Sequence, residues 1–247
     1  MAAPLARIGV LGGMGPQATI LFMQRVLDAT PATDDCAHIP LLVDNNTQVP
    51  SRIKALIDGD GIDPGPALAE MAKGLEKGGA LALVMPCNTA HNYTGVIRNA
   101  VSVPFLSMIE LTAKELARRL KPGSSIGILG SPALRITGIF NNALQEVEMT
   151  PLYPDDENAM LGAIRVLKAS SGALAAPGAL DTVLANGRQL IARGADILLV
   201  GCTEFSLIKE HVAQLHPALD SLDVLVETTI RFSQQSQNFS NFQGEGE

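Results

Sequence analysis

The segment IGVLGGMGPQAT, Ile8–Thr19, recurs in the second half of the chain as IGILGSPALRIT, Ile126–Thr137. Further along, each half has an apolar run that ends in a cysteine, first VMPCNTAH at Val84–His91 and then LLVGCTEF at Leu198–Phe205. The 247 residues include only three cysteines, and two of them occupy these matched positions. The repeated order of elements indicates an internal duplication of one structural unit.

Short apolar strands alternate with helical patterns along most of the chain. The predicted strands cover residues 7–11, 40–43, 81–85, 104–108, 125–129, 147–152 and 196–200. The predicted helices cover residues 16–29, 66–77, 89–100, 111–120, 156–169, 180–193 and 204–215. Unalternating apolar strands separated by helices are typical of a parallel sheet covered on both faces. We therefore predict an α/β fold of two pseudo-twofold-related α/β domains, each a mostly parallel sheet flanked by helices.

The duplication also predicts a division of the chain and a place for its site. Residues 1–107 together with 209–233 are predicted to form the first lobe, and residues 108–208 the second. The polar tail 234–247 is predicted to be disordered. In such folds, ligands bind in the crevice outside the carboxyl ends of the strands. Because each matched cysteine follows a strand at this end, we expect Cys87 and Cys202 to face each other across one cleft.

Charge and composition argue against several classes of function. A net charge of -7 and a pI near 5.1 do not suit a nucleic-acid or anionic-membrane surface. No apolar run approaches the roughly 20 residues that a membrane span needs, and no signal peptide is recognisable, so we expect a cytoplasmic protein with reduced thiols. Three cysteines without a CxxC pair favour neither a disulfide framework nor a structural zinc site, and no metal is expected.

A cysteine between a strand and a helix start is placed for acid–base chemistry. Backbone N–H groups and the positive end of the helix dipole lower a thiol pKa from about 8.5 toward neutrality. With two such thiols on opposite sides of a carbon, one removes a proton and the other delivers one to the opposite face, which is racemisation. A cysteine that ends a core strand is more often a packing residue, but the matched contexts favour chemistry. Cys36 has no such context and is interpreted as structural or incidental.

Three polar residues near the strand ends each have two possible roles, one in the site and one outside it. Arg52, in the loop DNNTQVPSR, either binds a substrate carboxylate in bidentate fashion or is a solvated surface arginine. Lys168, near a helix end, is either a site residue or an ordinary surface lysine. His91 lies four residues after Cys87 on the same helical face, and either orients a substrate group or makes a local hydrogen bond.

The first glycine turn also has more than one interpretation. Gly13–Ala18 fits a loose G-x-G-x-x-A dinucleotide pattern, but the acidic residue expected about twenty residues on is instead Asp44, after a longer interval. A tight strand–helix turn with Pro16 near the first helical position is the simplest interpretation. We favour a turn whose N–H groups bind a substrate carboxylate.

The motifs, taken in order from about Ile8 to Phe232, resemble the aspartate/glutamate racemase family, and within it the aspartate racemases. The most specific pieces are GGMGPQAT, PCNTAH around Cys87 and GCTE around Cys202. Softer pieces are VPSR, IDPGPAL, SMIE and the LKA around Lys168. The resemblance implies a racemase without a cofactor, with its active site between two α/β domains, and usually a homodimer.

The resemblance also implies roles for particular residues. Cys87 and Cys202 would be the two acid–base thiols, and Arg52 and Lys168 would bind carboxylates. The remaining residues that it implies to line the site are Met14, Asn88, Thr89, Thr203 and Glu204.

Three positions depart from the family pattern and bear on the substrate. Ser51 stands where an aspartate is frequent, Ile164 where a tyrosine is common, and Leu134 lies in a turn that usually carries threonines. Two cationic residues predict a dicarboxylic amino acid, and the resemblance favours aspartate. A pocket less polar than the family pattern would also admit a neutral side chain.

Two other classes of function stay open at this stage. One is another cysteine-dependent enzyme of the superfamily, such as a hydantoin racemase or a maleate-type isomerase. The other is a non-catalytic protein that binds a small metabolite.

Overall fold

The computed structural model describes residues 5–169 and 177–240, which form two parallel sheets flanked by helices. The strands are β1 Ile8–Gly12, β2 Leu41–Asn45, β3 Ala82–Val84, β4 Ser125–Leu129, β5 Thr150–Leu152, β6 Ile197–Val200 and β7 Ala218–Asp220. The helices are α1 Pro16–Asp28, α2 Gly65–Lys77, α3 Thr94–Ala100, α4 Met108–Arg119, α5 Pro132–Thr137, α6 Ile139–Gln145, α7 Glu157–Ala169, α8 Pro177–Ala192, α9 Lys209–Ala213 and α10 Ser221–Ser240. No helix in these ranges is long and apolar enough to cross a membrane.

The two sheets have the same topology, which confirms the predicted fold class. The first has the strand order β2-β1-β3, and the second β5-β4-β6-β7, with every pair parallel. Phe105 forms an isolated parallel bridge with Leu83 of β3, in the position that β7 takes beside β6. The predicted strand at 104–108 is therefore reduced to this bridge, and β7, which the sequence did not predict, is its longer counterpart.

The duplication extends to individual packing contacts in the two cores. A Cβ atom built on Gly9 of β1 would lie 2.6 Å from Cδ2 of Leu83, and one built on Gly127 of β4 would lie 2.9 Å from Cδ2 of Leu198. Both distances are shorter than real Cβ contacts, so both central strands need glycine where the neighbouring strand packs against them. The same contact in each half shows that the halves share backbone geometry as well as topology.

The helix that ends each half packs on the core of the other sheet. In α4, Ile109 and Leu116 belong to the cluster around Ile126 of the second sheet. In α10, Leu222 and Leu225 belong to the cluster around β1, Phe22 and Val26 of the first sheet. The two helices also contact each other. Each of these two helices therefore joins the two halves of the chain.

The predicted lobe boundaries stay a prediction, and two observations differ from them. The segment 209–233 was assigned to the first lobe, but β7 within it pairs with β6 of the second sheet, because its backbone continues that parallel ladder. Helix α10 extends to Ser240, so the predicted disorder does not describe 234–240. A helix already docked through its first turns extends at low cost. Residues 241–247 lie outside the described residues.

Candidate active site

A cleft between the two sheets contains both matched cysteines. It is a narrow cavity of about 50 Å³, and Cys87 and Cys202 are each only 8% exposed at its wall. Cys87 follows β3 and Cys202 follows β6, so parallel strand ends bring them together as expected. The residues that line the cavity are Met14, Ser51, Arg52, Ile53, Cys87, Asn88, Thr89, Ser131, Ile164, Lys168, Gly201, Cys202, Thr203 and Glu204. All nine predicted site residues are among them.

Cys202, Glu204 and Lys168 form a connected set. The Cys202 Sγ–H donates to Glu204 Oε2 at 3.0 Å, and the other carboxylate oxygen, Oε1, lies 3.4 Å from Lys168 Nζ. Burial, followed by the negative charge and hydrogen bond of Glu204, raises the pKa of Cys202 well above its ordinary value. Burial by itself lowers the pKa of Lys168, but the negative charge of Glu204, followed by the interactions with the two cysteines, outweighs it, so this pKa is raised. Lys168 is therefore a charged site residue with a partner.

Arg52 reaches the cavity from the loop after β2. Its Nη1 donates to the carbonyl oxygens of Val49 at 3.1 Å and Pro50 at 2.7 Å, and its Nη2 donates to that of Met14 at 3.2 Å. Carbonyl oxygens carry no net charge, so these bonds fix the guanidinium without neutralising it. Arg52 thus contributes a positioned positive charge, in contrast to the ion-paired Lys168.

Asn88 offers a free acceptor in the buried wall of the cavity. Its Nδ2 donates to Ser221 Oγ at 3.0 Å, and Ser221 Oγ in turn donates to the Val200 carbonyl at 2.9 Å. Within the described part of the chain, Asn88 Oδ1 has no hydrogen-bond partner although the residue is only 2% exposed. A buried acceptor without a partner is costly, so this oxygen is suited to a donor supplied by a ligand.

His91 lies behind the cavity wall and is not among the lining residues. Its Nε2 accepts from the Met108 N–H at 3.0 Å, which requires the proton on Nδ1, and Nδ1 therefore donates to the Cys87 carbonyl at 2.8 Å. Burial lowers the pKa of His91 to about 4. The neutral ring ties the turn after β3 to the start of α4, so the structure supports the local hydrogen-bond role.

The first glycine turn has fewer free N–H groups than the sequence suggested. The Gly13 N–H donates to Thr19 Oγ1 at 2.9 Å, and Gly13 has a φ of +89°, where glycine is favoured. Gly15 caps the N-terminus of α1, and a Cβ built on it would lie 3.7 Å from Glu204 Oε1. The carboxylate near this helix start is therefore that of Glu204, from the other half of the chain.

Some of the lining residues were not assigned to the site from the sequence. Ile53 and Gly201 are chain neighbours of predicted residues, which was the available signal. Ser51 and Ile164 were recognised only as departures from a family pattern, and both line the cavity, as does Ser131. Leu134, noted with them, is fully buried beside Gly130 and is not among the lining residues.

Comparison with known proteins gives the chain its family. The family model described as Asp/Glu/Hydantoin racemase matches residues 11–229, which include every residue of the cavity wall. The chain belongs to the Asp/Glu/hydantoin racemase family. As a member of the racemase family it is an isomerase, an amino-acid racemase.

Individual relatives within the racemase family cover almost the whole chain. The "Broad specificity amino-acid racemase RacX" of Bacillus subtilis is 29% identical over 234 residues, 90% of this chain and 96% of the relative. The structure of an aspartate racemase from Picrophilus torridus is 26% identical, with a TM-score of 0.80, and covers 94% of this chain and 98% of its own. A glutamate racemase from Francisella tularensis, solved with D-glutamate, is 18% identical with a TM-score of 0.59 over 96% of this chain and 83% of its own, a likeness of fold.

Membership of this family bears on the dinucleotide interpretation of the first glycine turn. The glycine turn belongs to a racemase and does not need a dinucleotide to explain it. Among the described residues, no group of three or more His, Cys, Asp or Glu side chains is arranged to hold a metal ion.

Proposed function

We propose that this racemase inverts the α-carbon of a small amino acid with two thiols and without a cofactor. The carrying observation is that Cys87 and Cys202 arrive from equivalent positions in the two halves and line one narrow cavity. One thiolate removes the α-proton, and the opposite thiol protonates the resulting carbanion on its other face. The reverse reaction exchanges the two roles, which suits a site built from duplicated halves.

The polar groups of the cavity support a binding mode for the substrate. We assign the α-carboxylate to Arg52, whose charge is not neutralised by the carbonyl oxygens that hold it. We assign the α-ammonium to Asn88, whose Oδ1 is buried without a partner. Held at both groups, the α-carbon is fixed while its hydrogen faces one of the two thiols. Met14, Thr89 and Thr203 line the space around it.

The charges of the cavity bear on the choice of amino acid. Lys168 is already paired with Glu204, so a second substrate carboxylate must compete with a carboxylate that the protein supplies. Ser51 and Ile164 add no charge to the wall. We therefore propose that neutral small side chains are accepted as well as that of aspartate, the substrate that the sequence favours. Two of the three named relatives, a broad-specificity racemase and an aspartate racemase, are consistent with this range.

A solvent-exchange assay tests the proposal directly. The enzyme is incubated in heavy water with L- and D-aspartate, alanine and serine, without pyridoxal phosphate, and the enantiomers and α-deuterium are measured. We expect inversion with deuterium in the product, and a loss of at least about 100-fold in Cys87→Ser and in Cys202→Ser. Cys36→Ser, at an exposed position, is the matched control and should keep full activity. Racemisation that survives in both single variants would rule out the two-thiol mechanism.

Two further parts of the proposal concern the assembly and the location of the protein. We propose a homodimer, to be tested by the molar mass in solution, and a cytoplasmic location, where both thiols stay reduced. A substituted hydantoin and maleate belong in the substrate panel. Faster turnover of either than of every amino acid would assign the chain to a different branch of the family's chemistry.

A further inference from the structure

The two cysteines occupy matched positions, but their chemical surroundings differ. Two residues after Cys202 comes Glu204, whose carboxylate accepts the thiol proton. Two residues after Cys87 comes Thr89, which lines the cavity from the equivalent position in the sequence and carries no charge. Glu204 is the only carboxylic acid in the lining, all of which lies within the described ranges. The duplicated site thus has an acid beside one thiol only.

The contacts of Glu204 determine which atom holds the shared proton. Its Oε1 faces Lys168 Nζ at 3.4 Å and lies close to the N-terminus of α1 at Gly15. Both the ammonium and the helix N-terminus attract this carboxylate. With the carboxylate ionised, the proton of the 3.0 Å contact belongs to Cys202 Sγ. The same carboxylate would repel a thiolate at Cys202, so loss of this proton is opposed.

Cys87 differs from Cys202 in having no acid beside it. The charged lining groups besides Glu204 are Lys168 and Arg52, both cationic, and the charge of Lys168 acts on both cysteines. His91, which contacts the Cys87 carbonyl through Nδ1–H, is neutral and adds no charge. Cys202 thus has a carboxylate as its hydrogen-bond acceptor, whereas no carboxylate stands beside Cys87 in the described wall of the cavity.

We propose that the free enzyme rests with Cys87 as the thiolate base and Cys202 as the protonated acid, and that Glu204 sets this direction. This inference rests on the two-thiol function proposed above and adds the order of its steps. One enantiomer, the one whose α-hydrogen faces Cys87, meets a base and an acid that are ready for reaction. The other enantiomer reacts only with the minor form, in which the proton has moved from Cys202 to Cys87.

The kinetic consequence is that kcat and KM differ between the two enantiomers although the equilibrium constant between them is one. Racemisation has an equilibrium constant of one, so kcat/KM is the same in both directions whatever the enzyme does. The equilibrium constant does not constrain kcat and KM separately. We expect them to differ between enantiomers in the wild type and to converge in Glu204→Gln, which removes the charge that sets the resting state.

Timed alkylation measures the resting state without any variant. The wild type is treated with iodoacetamide near neutral pH, and peptides that carry each cysteine are quantified by mass spectrometry. Cys87 and Cys202 are equally exposed at 8%, so their relative rates report thiolate content more than access. We expect Cys87 to react at least about tenfold faster, the effect of one unit of pKa difference. Equal rates, or faster reaction at Cys202, would overturn the proposal.

A transplanted acid tests whether Glu204 is the cause. Thr89→Glu puts a carboxylate at the matching place beside Cys87, and Thr89→Gln is the control of the same size without charge. We expect Thr89→Glu to slow alkylation of Cys87 by about tenfold and Thr89→Gln to leave it nearly unchanged. Equal slowing by both variants would show a steric effect and contradict the proposal. Failure of the two-thiol function would appear separately, as racemisation in the serine variants with the alkylation order intact.

Discussion

The buried His91 makes the stability of this protein depend on pH in a calculable way. In the folded state its pKa is about 4, because burial disfavours the charged ring, whereas an unfolded histidine titrates near 6.5. Between these values the unfolded chain binds a proton that the folded chain does not. The folded state therefore has its full stability above pH 6.5 and loses it as the pH falls toward 4.

The size of the effect follows from the two pKa values. Between pH 7 and pH 5 the difference in proton binding amounts to about 2 kcal/mol in the free energy of unfolding. This interval lies above the titration of unfolded carboxyl groups, near pH 4, so their contribution is small. This loss is a large part of the free energy of unfolding of a typical domain, which is roughly 5–15 kcal/mol.

Urea unfolding, followed by circular dichroism at pH 7, 6 and 5, measures this loss in the wild type and in His91→Asn. The variant is expected to be less stable at pH 7, because the Met108 N–H and the Cys87 carbonyl lose their partner. Its stability should nevertheless fall by about 2 kcal/mol less than that of the wild type between pH 7 and pH 5. His211→Asn, at an exposed position on α9, is the matched control and should keep the wild-type dependence. The same pH dependence in His91→Asn and in the wild type would refute the assignment of His91 as a buried neutral ring.

Four further outcomes are expected. Gly9→Ala should lower the free energy of unfolding by about 1–3 kcal/mol, because its Cβ would overlap the leucine of β3, whereas Gly162→Ala, in open space on α7, should be neutral or stabilising by urea titration. Arg25→Gln should cost about 3–5 kcal/mol in the same assay, because it leaves the carboxylate of Asp220, with 2% side-chain exposure, without its cation. Arg52→Ala should lower kcat/KM for every accepted amino acid in a chiral assay, by an amount that corresponds to about 2–5 kcal/mol of lost transition-state stabilisation. Halves produced separately, divided between α4 and β4, should recover activity only when mixed.

The location of the site was predictable because it depends on features that recur along the chain. Parallel strands place their carboxyl ends at one edge, so the strand–cysteine–helix order around Cys87 and Cys202 was enough to bring both into one cleft. Strand β7 was not predictable in this way, since three residues after a proline form a strand only when the edge of β6 is available. The pairing of Lys168 with Glu204 joins distant parts of the chain, and no local pattern contains it.

Helices in the second half show a similar limit. Helices α5 and α6 are short and meet at Gly138, which has a φ of +67°. Each is too short for a clear apolar period, so the sequence did not reveal them. The role of His91 was open because either interpretation fits a histidine one turn after a cysteine. Its tautomer was decided only by the Met108 N–H, which arrives from the next helix.

The exchange of α4 and α10 between the two cores has a consequence for the origin of the chain. A half-length protein would leave one face of its sheet bare, and two copies that traded their last helices would cover both faces. Such an ancestor would be a symmetric pair of chains, with one cysteine from each and the same neighbour beside both. A single chain with two halves is not bound by this symmetry and can place different residues at the matched positions, as it does with Thr89 and Glu204. The continuous chain is thus free to make the two sides of its cleft different.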